Sequence, residues 1–566
     1  MYRIYRYAMI LAAAMVSAVA AAQNLDPTVE VSRAYEGNLV EVHKPTLEMS
    51  VPDSVQRFRL DFDYSVFDSP YKGSYEFNPY MTSMRPAPSV FKPQKFYLRA
   101  GAGYRLNPVA DIIWSPDLKK GFKMNMYASH RSYIGDYRTI EQSGTNGELV
   151  RSDVAEPWKG ADSRTDAGVC GTYDWRKGVF SYDLAYLGIH SKDYIIMKTR
   201  AFNGVNASMN VASKAARTFV YDVDLDYRFA ADKGGLMRLN ENYIALSADL
   251  GPQFKLAHRI LFDMGAEMAL YSTVQDWSSA RMHFTPHYVY NKGRWHIDAG
   301  VRIDFLVATD NDAAPRSVER QQIVYPDVRV EFTAIRNAMN IYAEATGGNR
   351  INTYGDVVRR NHFADVFFFS GTRLDATVER VNAALGLKGR IGTRFSYNFK
   401  GGYAGYANAM FDALYTAPDL TSPAGIGYSH CSKAYASLEW ILDTERFRFD
   451  GTAGFAHYWD FEDIPGLFKP SSVTGDISVE YNIRKRIFFG VDCEYASARK
   501  TVMPIADRLD FVIPGYADLG VNFEWVTSRK LSFWARGGNL LNMTIQRTPL
   551  YAQGGISFTV GICLNL

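Results

Sequence analysis

The sequence predicts an all-β fold. It reads as one transmembrane antiparallel β-barrel of about 22 strands, with 20 as the alternative count, preceded by a short N-terminal periplasmic segment. Three observations predict it. Apolar and polar residues alternate with period two over segments of roughly 9–14 residues. Those segments are long for soluble strands and match the ~9–11 residues that cross a bilayer. The connections between them alternate short and long, as the two rims of an outer-membrane barrel require.

Composition limits the alternatives. The chain has 566 residues, a net charge of +3, 47% apolar residues, 14% aromatic residues and four cysteines. So balanced a charge argues against a nucleic-acid coat, which needs a basic face. Four scattered cysteines do not make a disulfide scaffold. The apolar fraction is too high for a disordered chain.

Residues 1–22 read as a signal peptide: Arg3 and Arg6 precede an apolar stretch from Ala8 to Ala20, and Ala20-Ala21-Ala22 fits a cleavage site before Gln23. Residues 23–94 read as a periplasmic segment and linker. Within them Arg57–Phe67 alternates like a strand, and Pro86, Pro88 and Pro93 mark the entry into the barrel. The barrel is expected to fill 95–566. In Thr218–Phe229 the apolar set Phe219, Tyr221, Val223, Leu225, Tyr227 and Phe229 opposes Asp222, Asp224, Asp226 and Arg228. Val473–Arg484 and Ala517–Trp525 follow the same rule, because successive side chains leave opposite faces of a strand.

From residue 243 onward, short turns are expected at 255–258, 291–294, 335–338, 390–393, 443–445, 484–485 and 527–530. Longer loops are expected near 272–280, 308–320, 350–372, 409–427, 460–472, 501–514 and 541–553. This rhythm breaks once, within 190–243. One further strand in Ile195–Val211 would restore it and make the total even.

The stretch Trp534-Ala-Arg-Gly-Gly-Asn-Leu-Leu-Asn542, followed by a loop and the strand Ile556–Leu566, resembles the closing hairpin of TonB-dependent receptor-like outer-membrane barrels. Val29–Val42 and Phe62–Lys72 look like the leader of the Bacteroidota type that lacks an evident plug domain. The resemblance implies the cell outer membrane as location and solute uptake as activity. Two departures stand out. A full receptor carries a longer plug and a TonB-contacting box, neither evident in 23–94, which argues against TonB contact. The last residue is Leu566 rather than an aromatic, yet it stays in phase with Phe558, Val560, Ile562 and Leu564.

Motifs for catalysis are absent. There is no G-x-S-x-G, H-E-x-x-H or P-loop, and Gly427-Tyr-Ser429-His-Cys431 lacks the second glycine of a hydrolase elbow. No cofactor is implied, and Gly101-Ala-Gly103 reads as close strand packing. His283 and His287 lie ~13 Å apart along one strand, too far to share an ion. His287 with His296 across a turn is the one metal pairing to weigh, against the commoner neutral lumen histidines. Cys170, Cys431 and Cys563 point inward and Cys493 outward, all expected as thiols. The lumen-facing candidates are Asp222, Asp224 and Asp226, balanced by Arg302, Arg380, Arg390, Arg446 and Arg448. Trp175, Trp295, Trp440, Trp459 and Trp525 sit where interfacial girdles form.

These features point to an outer-membrane conduit or receptor for solute uptake, without enzymatic activity. Its partners would be outer-membrane lipid and other proteins, such as a surface lipoprotein or further outer-membrane subunits. The alternative is a structural or accessory subunit of a larger outer-membrane assembly with a blocked lumen. An outer-membrane hydrolase has least support.

Overall fold

The computed structural model describes residues 95–566, apart from 119–120, 144–146, 194–197, 215–217, 234–237, 255–256, 273–275, 310–315, 365–373, 415–424 and 504–509. The segment 1–22 expected to be a signal peptide, the 23–94 segment and the strand expected at Arg57–Phe67 lie outside the described residues.

The alternating segments form 22 barrel strands. The first seven are β1 (Phe96–Tyr104), β2 (Val109–Trp114), β3 (Phe122–Arg138), β4 (Trp158–Asp174), β5 (Gly178–Asp193), β6 (Lys198–Ser213) and β7 (Phe219–Asp232). There follow β8 (Leu239–Phe254), β9 (His258–Ser272), β10 (Trp277–Lys292), β11 (Trp295–Thr309), β12 (Val324–Ile335), β13 (Met339–Arg350) and β14 (Thr377–Ile391). The last eight are β15 (Phe395–Ala413), β16 (Gly425–Asp443), β17 (Phe447–Trp459), β18 (Val473–Ile483), β19 (Ile487–Ala496), β20 (Tyr516–Val526), β21 (Leu531–Gly538) and β22 (Ser557–Asn565). Each pairs antiparallel with its chain neighbours. β1 closes the ring on β22, from Tyr97 opposite Asn565 to Tyr104 opposite Phe558. Closure leaves no unpaired edge, which a hydrocarbon environment demands.

The strand that completes the count is β6, where the sequence rhythm broke. Its outward face (Val205, Ala207, Met209, Val211) and inward face (Gly204, Asn206, Ser208, Asn210) differ little in size or charge, so its periodicity is faint. At the closing seam a side chain is excluded: a Cβ on Gly103 would lie 1.7 Å from the Phe558 carbonyl oxygen. A Cβ on Gly561 would lie 2.1 Å from that of Ala100. Both glycines allow the close approach of β1 and β22.

Short connections gather on one rim, at 115–121, 175–177, 214–218, 255–257, 293–294, 336–338, 392–394, 444–446, 484–486 and 527–530. The long ones, at 139–157, 310–323, 351–376, 414–424, 460–472, 497–515 and 539–556, gather on the other, together with the tight connections 105–108, 194–197, 233–238 and 273–276. The rims therefore face periplasm and exterior respectively. One connection is tighter than expected: the loop near 272–280 shrinks to 273–276, because Trp277 and Ser279 are already buried in β10.

The outward face is apolar over the middle of the strands. Leu225 (38% exposed), Val307 (54%) and Leu385 (68%) are typical, a surface that only lipid satisfies. Aromatic pairs ring it near the short-turn rim. Ring centroids are 6.1 Å apart for Tyr173 and Trp175, 4.7 Å for Trp295 and Phe332, 5.6 Å for Trp440 and Phe449, and 6.2 Å for Trp525 and Phe533. Trp459 and Tyr403 (6.0 Å) lie towards the long-loop rim. A second use of aromatics was not foreseen. Tyr137, Trp158, Tyr271, Trp277, Tyr354, Phe363, Phe468, Phe511 and Tyr551 are buried in apolar clusters formed by the long loops and the strand ends beneath them. The packed core of this molecule lies at the long-loop end.

Candidate functional site: a lumen capped by its own loops

The connection 351–376 leaves β13, turns inward and returns at β14. Its first part contains a short helix, α2 (Tyr354–Arg360), started by Thr353, whose hydroxyl accepts from the Asp356 amide at 3.2 Å. An earlier single turn, α1 (Arg316–Arg320), lies in 310–323.

The segment around α2 reaches the wall far from its own strands. The Tyr354 hydroxyl donates to Asp232 of β7 (2.5 Å), and Asp232 also pairs with Arg200 of β6 (3.1 Å). Glu241 of β8 accepts from the Tyr354 amide (2.5 Å) and the Gly355 amide (3.3 Å). The His362 carbonyl accepts from Ser191 of β5 (3.1 Å) and from Arg200 (3.0 Å), while its ring meets Asp162 of β4 at 2.7 Å. On the other flank Arg360 pairs with Asp412 of β15 (3.2 Å), and Phe363 stacks on Tyr551 of the 539–556 loop at 4.2 Å. Contacts running from β4–β8 to β15 and the final loop span the lumen. The segment is a cap.

Other loops knit onto it. Ser317 donates through its backbone N–H to Asp375 (3.1 Å), and its hydroxyl bonds the same carboxylate. Asn408 donates to Asp375 at 3.0 Å, and Asn352 to the Asp375 carbonyl at 2.7 Å. Arg316 (2.6 Å) and Arg320 (2.5 Å) converge on Glu462 of the 460–472 loop, and His430 approaches it at 3.3 Å. Burial alone would raise the Glu462 carboxyl, but bonds from Arg320 and His430 and the charge of Arg316 hold it below the ordinary carboxylate range. Gln546 donates to the Leu149 carbonyl (2.7 Å), and Arg499 to the carbonyls of Gln546 (2.7 Å) and Arg547 (3.0 Å).

Below the cap, the wall of β6–β12 carries linked charges. Asn210 donates to Asp222 (2.6 Å) and Asp224 (2.9 Å), and Asp226 follows on the same strand face. Arg302 is buried, held by Asp327 at 3.1 Å and donating to Thr285 at 3.3 Å, so it is a wall fastening more than a free lumen charge. Arg448 is paired with Asp450 at 2.8 Å. Arg390 donates to the Thr393 carbonyl (2.5 Å) at the short-turn rim, and Arg446 is exposed in the turn 444–446. Arg380 is exposed at a bulge of β14 beside the buried Glu379. His287 lies between Asp298 (2.8 Å) and Asp249 (3.3 Å). His296, half-buried, pairs in register with Asn291, four residues further along β10.

Three features escaped the sequence reading. Arg281, half-buried, binds the buried Asp304 (2.9 Å) and Glu267 (2.6 Å), while Asp304 accepts from the Asn349 amide (3.1 Å) where the cap begins. A cavity of about 240 Å³ between cap and wall brings together Arg164, Arg228 and Arg359 with Asp166 and Asp356. The 351–364 contacts themselves were the third. Local periodicity marks the face of a residue but not its partner, and a loop gives no period at all.

Ser429 is fully buried, its hydroxyl donating to the His430 carbonyl (2.9 Å) and accepting from the Glu462 amide (3.0 Å), which leaves no nucleophile there. All four cysteines are thiols. Among the described residues no three His, Cys, Asp or Glu side chains are placed to hold one metal ion.

Fold, lipid-facing belt and capped lumen together define an outer-membrane β-barrel of TonB-dependent receptor-like architecture. No protein-family model matches the chain, and no curated protein matches its sequence. Solved structures match its backbone. The iron transporter FrpB from Neisseria meningitidis superposes with TM-score 0.60 at 10% identity, covering 84% of this chain and 82% of that one. The copper transporter OprC gives TM-score 0.59 at 9% identity, covering 84% and 80%. The ferripyoverdine receptor of the outer membrane of Pseudomonas aeruginosa gives 0.58 at 10%, covering 84% and 72%. At such identities the likeness is one of fold.

Proposed function

We propose that this barrel is a solute-uptake conduit or receptor whose passage is closed by the cap around α2. One observation carries the proposal. The cap meets the opposite wall through ion pairs and hydrogen bonds at Asp162, Ser191, Arg200, Asp232 and Glu241, groups that water or a solute can satisfy in turn. A seal made only of apolar contacts would have no such exchange partners. The architecture shared with two metal transporters and a ferripyoverdine receptor supports it. Residues 23–94 would serve as a periplasmic segment, and the activity would be transport without covalent chemistry.

A second reading draws on a different observation. The loops 139–157, 460–472, 497–515 and 539–556 share an apolar cluster with Phe363, more permanent than a gate needs. It suits a structural subunit of an outer-membrane assembly with a blocked lumen, docked to a surface lipoprotein or another outer-membrane protein. Planar-bilayer recording separates the two. The conduit reading expects little conductance from the wild type and stable open channels after 353–363 is replaced by a Gly/Ser linker. A silent linker variant that retains its unheated gel mobility and copurifies with a stoichiometric partner would overturn it in favour of the assembly.

A further inference from the structure

On the β16–β19 wall, directly beneath the cap, lies a cavity of about 430 Å³, large enough for a small organic solute. Five cationic side chains line it from five separate segments: Arg360 of α2, Lys433 of β16, Lys469, Arg499 and Arg547. Among the described residues one carboxylate lines it, Asp412, and that is shared between Arg360 (3.2 Å) and Arg499 (3.3 Å). Arg547 is satisfied from behind by Glu494 (2.6 Å) and Asp518 (2.8 Å).

Lys433 and Lys469 form no direct ion pair among the described residues, although the buried Glu379 carboxyl is near enough to feel the Lys433 charge. The Lys433 ammonium lies 5.1 Å from the Tyr435 ring and 5.5 Å from the Tyr458 ring, and that of Lys469 lies 5.3 Å from the Phe461 ring. Ring faces position these ammonium groups but do not neutralise them. Like charges held around one hollow repel, and an anion placed among them relieves the repulsion. The cavity on the opposite wall gives the contrast. There Arg164 is paired with Asp166 (2.8 Å) and Arg228 with Asp356 (3.6 Å), so charge is largely balanced.

We propose that the β16–β19 cavity binds a small organic polyanion bearing carboxylate or phosphate groups. Lys433 and Lys469 supply the uncommitted charge, Arg360 and Arg499 the planar donors that match oxyanions. Tyr435, Tyr458 and Tyr516 form the polar-aromatic wall. Because Arg360 belongs to the cap, an anion competing with Asp412 for it would loosen the cap from β15. The site rests on the uptake reading only for this last consequence, since binding itself does not require passage.

The test is calorimetric titration of the full chain in detergent with citrate, tripolyphosphate and, as a neutral control, sucrose. At least one polyanion should bind, weaken as salt rises, and lose at least tenfold affinity in K433Q/K469Q. K433R should retain binding, and R164Q, on the opposite wall, should leave it unchanged. Unchanged migration on unheated gels shows that each variant still forms the barrel. Binding of neither polyanion, wild-type affinity in K433Q/K469Q, or equal weakening by R164Q would each overturn the site. Bilayer recording of the linker variant reports separately on the conduit: a silent barrel that binds citrate leaves the site standing and removes the uptake reading.

Discussion

Tyr354 shows how much one side chain decides. Its ring packs against Phe202 at 6.0 Å, its hydroxyl donates to Asp232 and its amide donates to Glu241. Tyr354→Phe keeps the packing and removes one bond to a buried carboxylate, which is worth about 1–3 kcal/mol. The cap should then open more often, seen as brief conductance events absent from the wild type. An unaltered trace would show that the hydroxyl does not latch the cap. Arg281 is a different kind of residue, because it fastens the wall. Arg281→Met takes the cation from the buried Asp304 and the half-buried Glu267 and is expected to destabilise the barrel by about 3–5 kcal/mol. The measurement is the temperature at which the folded form disappears from gels.

At the scale of elements, the junction between α1 and the 460–472 loop depends on Glu462. A carboxyl held below its ordinary range in the folded state contributes stability that is fully present above that range. The contribution is lost as pH falls through the lowered value. The hold of this junction should therefore be constant from neutral pH down to the ordinary carboxylate range and weaken only in stronger acid. Glu462→Gln should remove that acid step and raise the opening frequency at neutral pH. A step persisting in the variant would place the titrating group elsewhere.

For the whole molecule, the two faces of each strand obey opposite rules. Leu225 faces lipid between Tyr221 and Phe229, and Leu225→Arg should cost about 2–4 kcal/mol and lower the folded yield in the outer membrane. Asp224→Asn, one residue away on the lumen side, should leave folding intact. Equal damage from both would contradict the lipid-facing assignment. The same alternation explains why the fold was legible in the sequence. Phe219–Phe229 opposes Asp222–Arg228 within a single strand, and closure repeats that local rule around the ring. Only β6 was faint, since its two faces differ little in size or charge.

The sequence by itself determined the class of fold, the alternation of the rims and the lipid-facing aromatic belt, because each is a local or strictly periodic property, while the structure fixed the strand number at 22 by resolving β6. Tertiary structure alone decided what happens inside. That Tyr354 meets Asp232, that Arg281 joins Glu267 to Asp304, and that Lys433 and Lys469 share a cavity with Arg360 depend on residues far apart in the chain. No period encodes such a meeting. The loops that bring it about have no repeating pattern, and their positions are set by packing among themselves and against the wall. The aromatic residues divide along the same line. Those on strands revealed their role through alternation, whereas Phe363, Phe468, Phe511 and Tyr551 acquired theirs only when the loops folded over the lumen.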